Sequence, residues 1–340
     1  MEIKQAIQRV IDSQNLSFMD SYTVATHIMN GAATDAQISA LLISLRLKGE
    51  TIDEISGFVK AMREKATAVP CNNNTLVDTC GTGGDNKNTF NVSTVSGLVA
   101  AGAGCTIAKH GNKSVSSRCG SADMLTQLGI NININPPTMA KCIDENGFGF
   151  LYAPLLHKAM KYAIGPRREI GVRTIFNILG PLTNPAQAER QLIGVFRGKL
   201  TVLLANVLKN LGSRHVLVVH GEDGVDEISI SGRTMVSELK DDEIRNYFIT
   251  PEDFGLKKWS FSDIIGGDPI KNHEITQEIL DGKGGAPRDM VLLNAGSVIY
   301  LSGKADTIPE GIEMAANSID SGRAREKVEY LKVMTNQEMK

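Results

Sequence analysis

At 340 residues, with 42% hydrophobic and 22% charged positions, the chain has the make-up of a globular protein long enough for two domains. A formal net charge of −2 argues against a broad nucleic-acid or membrane-surface face, and no apolar run is long enough to span a bilayer. The five cysteines include no Cys-x-x-Cys pair, and Met1-Glu2-Ile3-Lys4-Gln5 lacks a signal-peptide pattern. The expectation is a soluble cytoplasmic protein with reduced thiols, not a disulfide or zinc framework.

Residues 1–70 read as helices only. Ile3, Ile7, Val10 and Ile11 recur at helical spacing, and a second helix is expected from about Ser17 to Asn30, stopping at Gly31. A third starts at Thr34, with Gln37 completing a capping box, and ends near Gly49; a fourth repeats the device with Thr51 and Glu54. Pro70 closes the block. Short connections make these helices antiparallel neighbours packed on Leu41, Leu42, Leu45, Ile55, Phe58 and Val59. With no convergent polar cluster, the block reads as scaffold.

After the polar linker Cys71-Asn72-Asn73-Asn74 the pattern changes to strands alternating with helices. Expected in order are a strand at Leu76-Val77-Asp78, a helix from Ser93 to Ala103, and a strand from Cys105 to Ala108. A helix from Ser121 to Leu128, a strand from Ile130 to Ile134, a helix opened by Pro136-Pro137 and a strand from Phe148 to Leu151 follow. This alternation predicts an α/β fold: a mainly parallel central sheet flanked by helices, with a smaller all-helical N-terminal domain and sites at the carboxyl ends of strands. Between residues 154 and 189 the alternation breaks into a helix from Leu155 to Ala163, a charged bend at Pro166-Arg167-Arg168-Glu169 and a rigid loop from Gly180 to Pro185. It resumes with strands from Leu192 to Phe196 and from His215 to His220, separated by a helix ending at Leu211. Glu227–Ile230 and Met235–Leu239 read as an antiparallel excursion, and the chain from Lys271 onward as helices.

Several stretches could carry chemistry. In Asp78-Thr79-Cys80-Gly81-Thr82-Gly83-Gly84-Asp85 a short strand runs into three glycines, and a helix of small residues follows. That geometry leaves backbone N–H groups free to meet an anion, although a flexible turn is equally open. Asn86 stands where a dinucleotide fingerprint needs glycine, and no P-loop Gly-Lys-Ser/Thr is present. The donor-dense run from Lys109 to Ser117 could hold a phosphate group or be a solvated basic loop. Gly221-Glu222-Asp223-Gly224-Val225-Asp226-Glu227 could hold Mg²⁺ through its carboxylates or simply be solvated. Arg167 or Arg168 could clamp a substrate carboxylate with its guanidinium fork.

Gly81-Thr82-Gly83-Gly84-Asp85, with Asn91-Val92-Ser93-Thr94 behind it and Lys109-His110-Gly111-Asn112 further on, resembles the anthranilate phosphoribosyltransferases. These are the tryptophan-pathway members of the nucleoside-phosphorylase-like phosphoribosyltransferases, and the likeness extends over nearly the whole chain. It implies a magnesium-dependent pentosyltransferase that moves the phosphoribosyl group of 5-phosphoribosyl 1-diphosphate (PRPP) to the amino nitrogen of anthranilate. The products are N-(5-phosphoribosyl)anthranilate and pyrophosphate. By resemblance, PRPP is bound by Gly81, Gly84, Asp85, Thr89, Asn91, Val92, Ser93, Thr94, Lys109, His110, Gly111, Asn112, Lys113, Ser114, Val115, Ser116, Ser117 and Ser121. Anthranilate falls to Gly81, His110, Asn112 and Arg167, which leaves Arg168 as a surface or interdomain partner. Ser93, Asp226 and Glu227 would ligate magnesium, with two ions per chain typical of the family.

No side chain stands out as a general acid or base, which suits an aromatic amine already neutral at pH 7. The resemblance also implies that Arg173-Thr174-Ile175-Phe176-Asn177 returns to the helical domain. The domains would then be residues 1–70 with about 166–190, and residues 75–165 with 191–340. A homodimer through the helical domain is implied by Leu45-Arg46-Leu47-Lys48-Gly49-Glu50-Thr51, and no nucleic-acid or membrane partner is expected. His27, His157, His215, His273 and Trp259 read as structural. Two readings stay open: a pyrimidine nucleoside phosphorylase, which would not need the Asp226-Glu227 metal site, and a non-catalytic relative that binds nucleic acid in its groove.

Overall fold

A computed structural model describes residues 1–113 and 118–337, so Ser114, Val115, Ser116 and Ser117 lie outside the described residues. The first 65 residues form α1 (Ile3–Ile11), α2 (Phe18–Met29), α3 (Asp35–Lys48) and α4 (Ile52–Lys65). The caps are those the sequence predicts: Thr34 with Gln37 and Thr51 with Glu54 form reciprocal capping boxes, and Ser17 accepts from the Asp20 N–H. Leu41, Leu42, Leu45, Ile55, Phe58 and Val59 are fully buried between them. Phe176, from a distant part of the chain, meets Phe58 edge-on with ring centroids 6.1 Å apart.

The α/β part runs β1 (Leu76–Thr79), α5 (Val92–Gly102), β2 (Thr106–Gly111), α6 (Ser121–Gln127), α7 (Pro136–Lys141) and β3 (Phe148–Tyr152). Next come α8 (Ala153–Leu156), α9 (Lys161–Ile170), α10 (Phe176–Leu179), β4 (Arg190–Gly194), α11 (Lys199–Asn210) and β5 (His215–Gly221). The hairpin β6 (Thr234–Lys240) and β7 (Glu243–Ile249) precedes α12 (Pro269–Leu280), α13 (Ala286–Ser302), α14 (Ile308–Asp320) and α15 (Arg323–Asn336). Among the described residues, seven strands lie in the order β3-β2-β1-β4-β5-β6-β7, the first five parallel and the last two antiparallel. From β1 the chain steps outward to β3, then returns to β4 on the other side of β1. The carboxyl ends of β1 and β4 therefore border a topological switch point, where a crevice opens in such sheets.

Strand periodicity divides the core. Leu192, Leu217 and Val219 face the cluster that includes residues of α5 and α13–α15. Ile193, Val195, Val216 and Val218 face α11 and the helical bundle.

Several local expectations differ from the structure, among them the helix from Leu155 to Ala163, which is broken at His157 between α8 and α9. Ile130–Ile134 is not a strand: Ile130, Ile132 and Ile134 are buried alternately, but the Asn131 N–H donates to Thr335 Oγ1 of α15 at 3.0 Å and no strand among the described residues pairs with it. Pro166-Arg167-Arg168-Glu169 is not a bend but the second half of α9, which tolerates the internal proline and ends at Gly171 with φ +65°. Glu227–Ile230 is not a strand either, and the partner of β6 is β7. That hairpin turns at Asp241-Asp242, with φ of 51° and 62°, as a two-residue turn of this hand requires. Finally, Lys109, His110 and Gly111 do not follow β2 but belong to it, opposite Phe150, Leu151 and Tyr152 of β3. Strand geometry thus aims Lys109 and His110 to opposite faces.

Candidate active site at the strand switch point

The end of β1 is fastened by a buried carboxylate. Asp78 Oδ1 accepts from the His110 N–H at 3.0 Å, and Oδ2 accepts from Asn184 Nδ2 at 2.7 Å. Asn184 also donates to the Ala108 carbonyl at 2.8 Å, so one amide ties β1, β2 and the 180–185 loop together. Burial pushes the Asp78 carboxyl up to about 6.

Beyond β1 the glycine loop turns sharply, with Gly83 and Gly84 at φ +64° and +77°, a region open to glycine at no steric cost. The Thr82 N–H donates to the Gly194 carbonyl at 2.8 Å, and Thr82 Oγ1 accepts from the Phe196 N–H at 3.2 Å, which seats the loop on β4. Its second half is braced by the 264–266 segment. There the Phe90 N–H donates to Ile264 O at 3.3 Å, the Gly266 N–H donates to Asn88 O at 2.9 Å, and Thr89 bridges to Ile265. Asn91 Nδ2 donates to Cys119 O at 3.2 Å, and α5 begins one residue later.

Lys109 is buried, and its Nζ donates to the Thr79 carbonyl and to Ser93 Oγ, the latter at 3.2 Å. Burial pulls its pKa down, against the pull of nearby Asp78 and Glu227. On the opposite face His110 Nδ1 lies 3.1 Å from the Gly180 carbonyl, a contact that assigns the proton to Nδ1. Its ring sits 5.0 Å, centroid to centroid, from that of His157, and Nε2 of each is buried without a partner among the described residues. Burial, reinforced by His157, holds His110 down to about 3, and burial holds His157 down to about 4. Both imidazoles are neutral at pH 7.

Past β2, the Asn112 carbonyl accepts from Ser121 Oγ and the Ala122 N–H, each at 3.2 Å, joining the start of the following loop to α6. Arg167 is half-buried on α9 with its guanidinium 5.2 Å from the Phe176 ring centroid, and burial lowers its pKa; Arg168 is exposed.

The acidic loop after β5 completes the crevice. Asp226 Oδ2 accepts from the Gly83 N–H at 2.8 Å, and the Ser93 N–H at the start of α5 favours the ionised Glu227 carboxylate against its burial. Burial first, then repulsion from Asp85, pushes Asp226 up to about 7; burial and Asp226 push Glu227 well above the carboxylate range. Asp85 Oδ2 is buried with no hydrogen-bond partner among the described residues. The packing is close: a Cβ on Gly194 would lie 1.5 Å from the Asp226 carbonyl oxygen. Asp223 shapes the loop, accepting from the hydroxyls of Ser229 and Ser231 and from the Val225 N–H at 3.3 Å.

Carboxylates crowded together with raised pKa values and an unsatisfied oxygen are what an oxygen-seeking dication relieves, so Asp226, Glu227 and the Ser93 hydroxyl fit Mg²⁺. Asp78, Cys80 and His110 also place ligand atoms within 4.8 Å of one another. Both Asp78 oxygens are already engaged, however, and burial holds the Cys80 thiol protonated, so this mixed group is a packed strand end. Asn184, His157 and Arg173 belong to the crevice without a site role in the sequence reading, while Asp78 and Asp223 fall within candidate stretches but serve as structural anchors. For Asp78, a carboxylate closing an apolar strand was a visible signal.

Residues 73–325 match the family model described as the glycosyl transferase family a/b domain, and residues 4–66 match its helical bundle domain. A Moorella thermoacetica protein named anthranilate phosphoribosyltransferase is 50% identical, over 97% of this chain and 97% of its own. The crystal structure of anthranilate phosphoribosyltransferase from Thermus thermophilus matches with a TM-score of 0.93 at 38% identity, covering 97% of this chain and 99% of that one. The Saccharomyces cerevisiae anthranilate phosphoribosyltransferase, in complex with PRPP and Mg, matches with a TM-score of 0.89 at 29% identity over 98% of both chains. It has also been solved in complex with 4-fluoroanthranilate, where the TM-score is 0.88. This chain belongs to the anthranilate phosphoribosyltransferase family.

Proposed function

We propose that this chain transfers the phosphoribosyl group of PRPP to the amino nitrogen of anthranilate, releasing pyrophosphate, in tryptophan biosynthesis. The observation that carries this reading is the meeting, at one switch point, of the glycine loop, buried Lys109 and the Asp226-Glu227 carboxylates. The yeast relative's complexes with PRPP and Mg and with 4-fluoroanthranilate support both substrates.

Cleavage of the sugar C1–O bond builds positive charge on the ribose and negative charge on the departing diphosphate. The backbone around Gly81, Gly84, Asp85, Thr89 and Asn91–Thr94 offers preorganised donors to that diphosphate, and Lys109 adds a desolvated ammonium. Gly111, Asn112, Lys113 and Ser121 line the next strand end; Ser114, Val115, Ser116 and Ser117, also read as PRPP contacts, lie outside the described residues. Ser93, Asp226 and Glu227 would hold Mg²⁺, two ions per chain in our reading, which when bound neutralises charge on the leaving group. Arg167 takes the anthranilate carboxylate, with Gly81, Asn112 and His110 around the ring. Neutral His110 contributes an acceptor and no competing charge. The amine is already nucleophilic, so the remaining contribution is proximity to C1.

Residues 1–70 with about 166–190 form one domain in this account, and 75–165 with 191–340 the other. In support, Ile175, Phe176, Leu179 and Leu182 share a core with α1–α4. A homodimer through the helical domain is supported by Ile11, Met19 and Leu47, apolar yet 59%, 60% and 81% exposed. A cytoplasmic location belongs to the same reading, since the five cysteines include no Cys-x-x-Cys pair.

The test is direct: anthranilate fluorescence should decay when purified protein is given PRPP and Mg²⁺, and should persist when either is withheld. Fluorescence that persists with both present refutes the proposal.

A further inference from the structure

We infer that Arg173 is a positioning residue that sets the direction in which the glycine loop presents the Asp85 N–H. This rests on the reading that the loop receives the diphosphate of PRPP. Arg173 lies between α9 and α10, on the segment that descends from the helical side of the crevice. Its Nη2 donates to the Gly84 carbonyl, and its guanidinium lies over the Phe196 ring, 4.2 Å from the centroid. Phe196 is itself bound to the loop through its N–H and Thr82 Oγ1 at 3.2 Å. At the other end, the Arg173 carbonyl accepts from Arg46 Nη1 of α3.

The consequence follows from peptide planarity. In a trans peptide the carbonyl of one residue and the N–H of the next point in opposite directions. Anchoring the Gly84 carbonyl to Arg173 therefore turns the Asp85 N–H to the opposite side of the loop. Gly84, at φ +77°, could otherwise reorient freely, because glycine populates both signs of φ. Arg173 removes that freedom without touching substrate. A Cβ on Gly84 would come within 3.3 Å of Nη2, so the guanidinium occupies the space a side chain there would take.

The experiment uses the full-length chain, with Arg173→Ala and Arg173→Lys compared with the unaltered protein. PRPP binding in Mg²⁺ is measured by calorimetry, and KM values for both substrates by anthranilate fluorescence. Losing one hydrogen bond from a charged donor should raise the Kd and KM for PRPP roughly tenfold or more in Arg173→Ala. The anthranilate KM at saturating PRPP should stay within about threefold, and Arg173→Lys, which keeps a charged donor but not the planar stack, should recover part of the loss. Arg173→Ala that binds PRPP as tightly as the unaltered protein overturns the inference. So does an equal rise in both KM values with no recovery in Arg173→Lys. Should Arg173→Ala fail to fold, Arg173→Lys decides by itself: PRPP affinity weakened with anthranilate KM unchanged supports the role, and unchanged PRPP affinity overturns it. If the unaltered protein does not bind PRPP, it is the functional reading that fails, not the role of Arg173.

Discussion

Gly194→Ala perturbs the crevice without removing a single polar group. A Cβ at this position would lie 1.5 Å from the Asp226 carbonyl oxygen and 2.4 Å from its carbonyl carbon, whereas ordinary contact starts near 3.4 Å. The backbone of Asp226 must therefore retreat by about 2 Å, the difference between 3.4 and 1.5 Å. That retreat breaks the 2.8 Å bond from the Gly83 N–H and carries Glu227 away from the start of α5. Overpacking of this kind costs roughly 1–3 kcal/mol, which a domain of this size can survive, so the variant should fold with a lowered Tm. Activity should suffer far more, because misplacing a catalytic constellation by about 1 Å costs on the order of 100-fold. Steady-state turnover followed by anthranilate fluorescence, with Mg²⁺ varied, should show kcat/KM for PRPP reduced at least that much. A Gly194→Ala enzyme within threefold of the parent, with the same magnesium requirement, would refute the reasoning.

Arg167→Ala should raise the anthranilate KM roughly 10- to 100-fold, the loss of a charge-assisted bidentate bond, and leave the PRPP KM nearly unchanged. Arg168→Ala should be silent, and equal effects on both substrates in Arg167→Ala would reject the assignment. The double variant Asp226→Asn with Glu227→Gln should need about tenfold or more Mg²⁺ for half-maximal rate, one charge-assisted interaction at the least, and an unchanged magnesium titration would remove the metal role. His110 and His157 are held neutral, down to about 3 and about 4, whereas their unfolded imidazoles titrate near 6.5. Below that value the unfolded chain takes up more protons than the folded one, so stability is fully present above it and lost as pH falls. At pH 5 the loss reaches up to about 2 kcal/mol per histidine. His157→Gln should flatten the fall in denaturation free energy between pH 7 and 5, and an equally steep fall would contradict the burial argument.

Local rules made the helices and the loop readable. Thr34-Gln37 and Thr51-Glu54 announce helix starts through contacts three residues apart, and they are formed as read. The Gly81–Asp85 loop was visible because strand, glycine turn and helix follow within one short stretch. Contacts that close over long sequence distance were not visible. Asn184 reaches Asp78 across 106 residues, and Arg173 reaches Gly84 across 89, with nothing in either local pattern to announce the partner. His157 looked like any structural histidine until the fold set it 5.0 Å from His110. Periodicity misled where burial was present without pairing, as in Ile130–Ile134, whose apolar alternation packs against α15 instead of a strand. It also missed β7, where Glu243, Arg245, Asn246 and Phe248 are exposed and blur the expected alternation.

The sugar diphosphate should bind at the switch point between β1 and β4. A crystal of the full-length chain soaked with PRPP and Mg²⁺ should show the diphosphate against the backbone of Gly81–Thr94 and Lys109, with metal density beside Ser93, Asp226 and Glu227. Diphosphate density anywhere else, with those carboxylates free of metal, would contradict it.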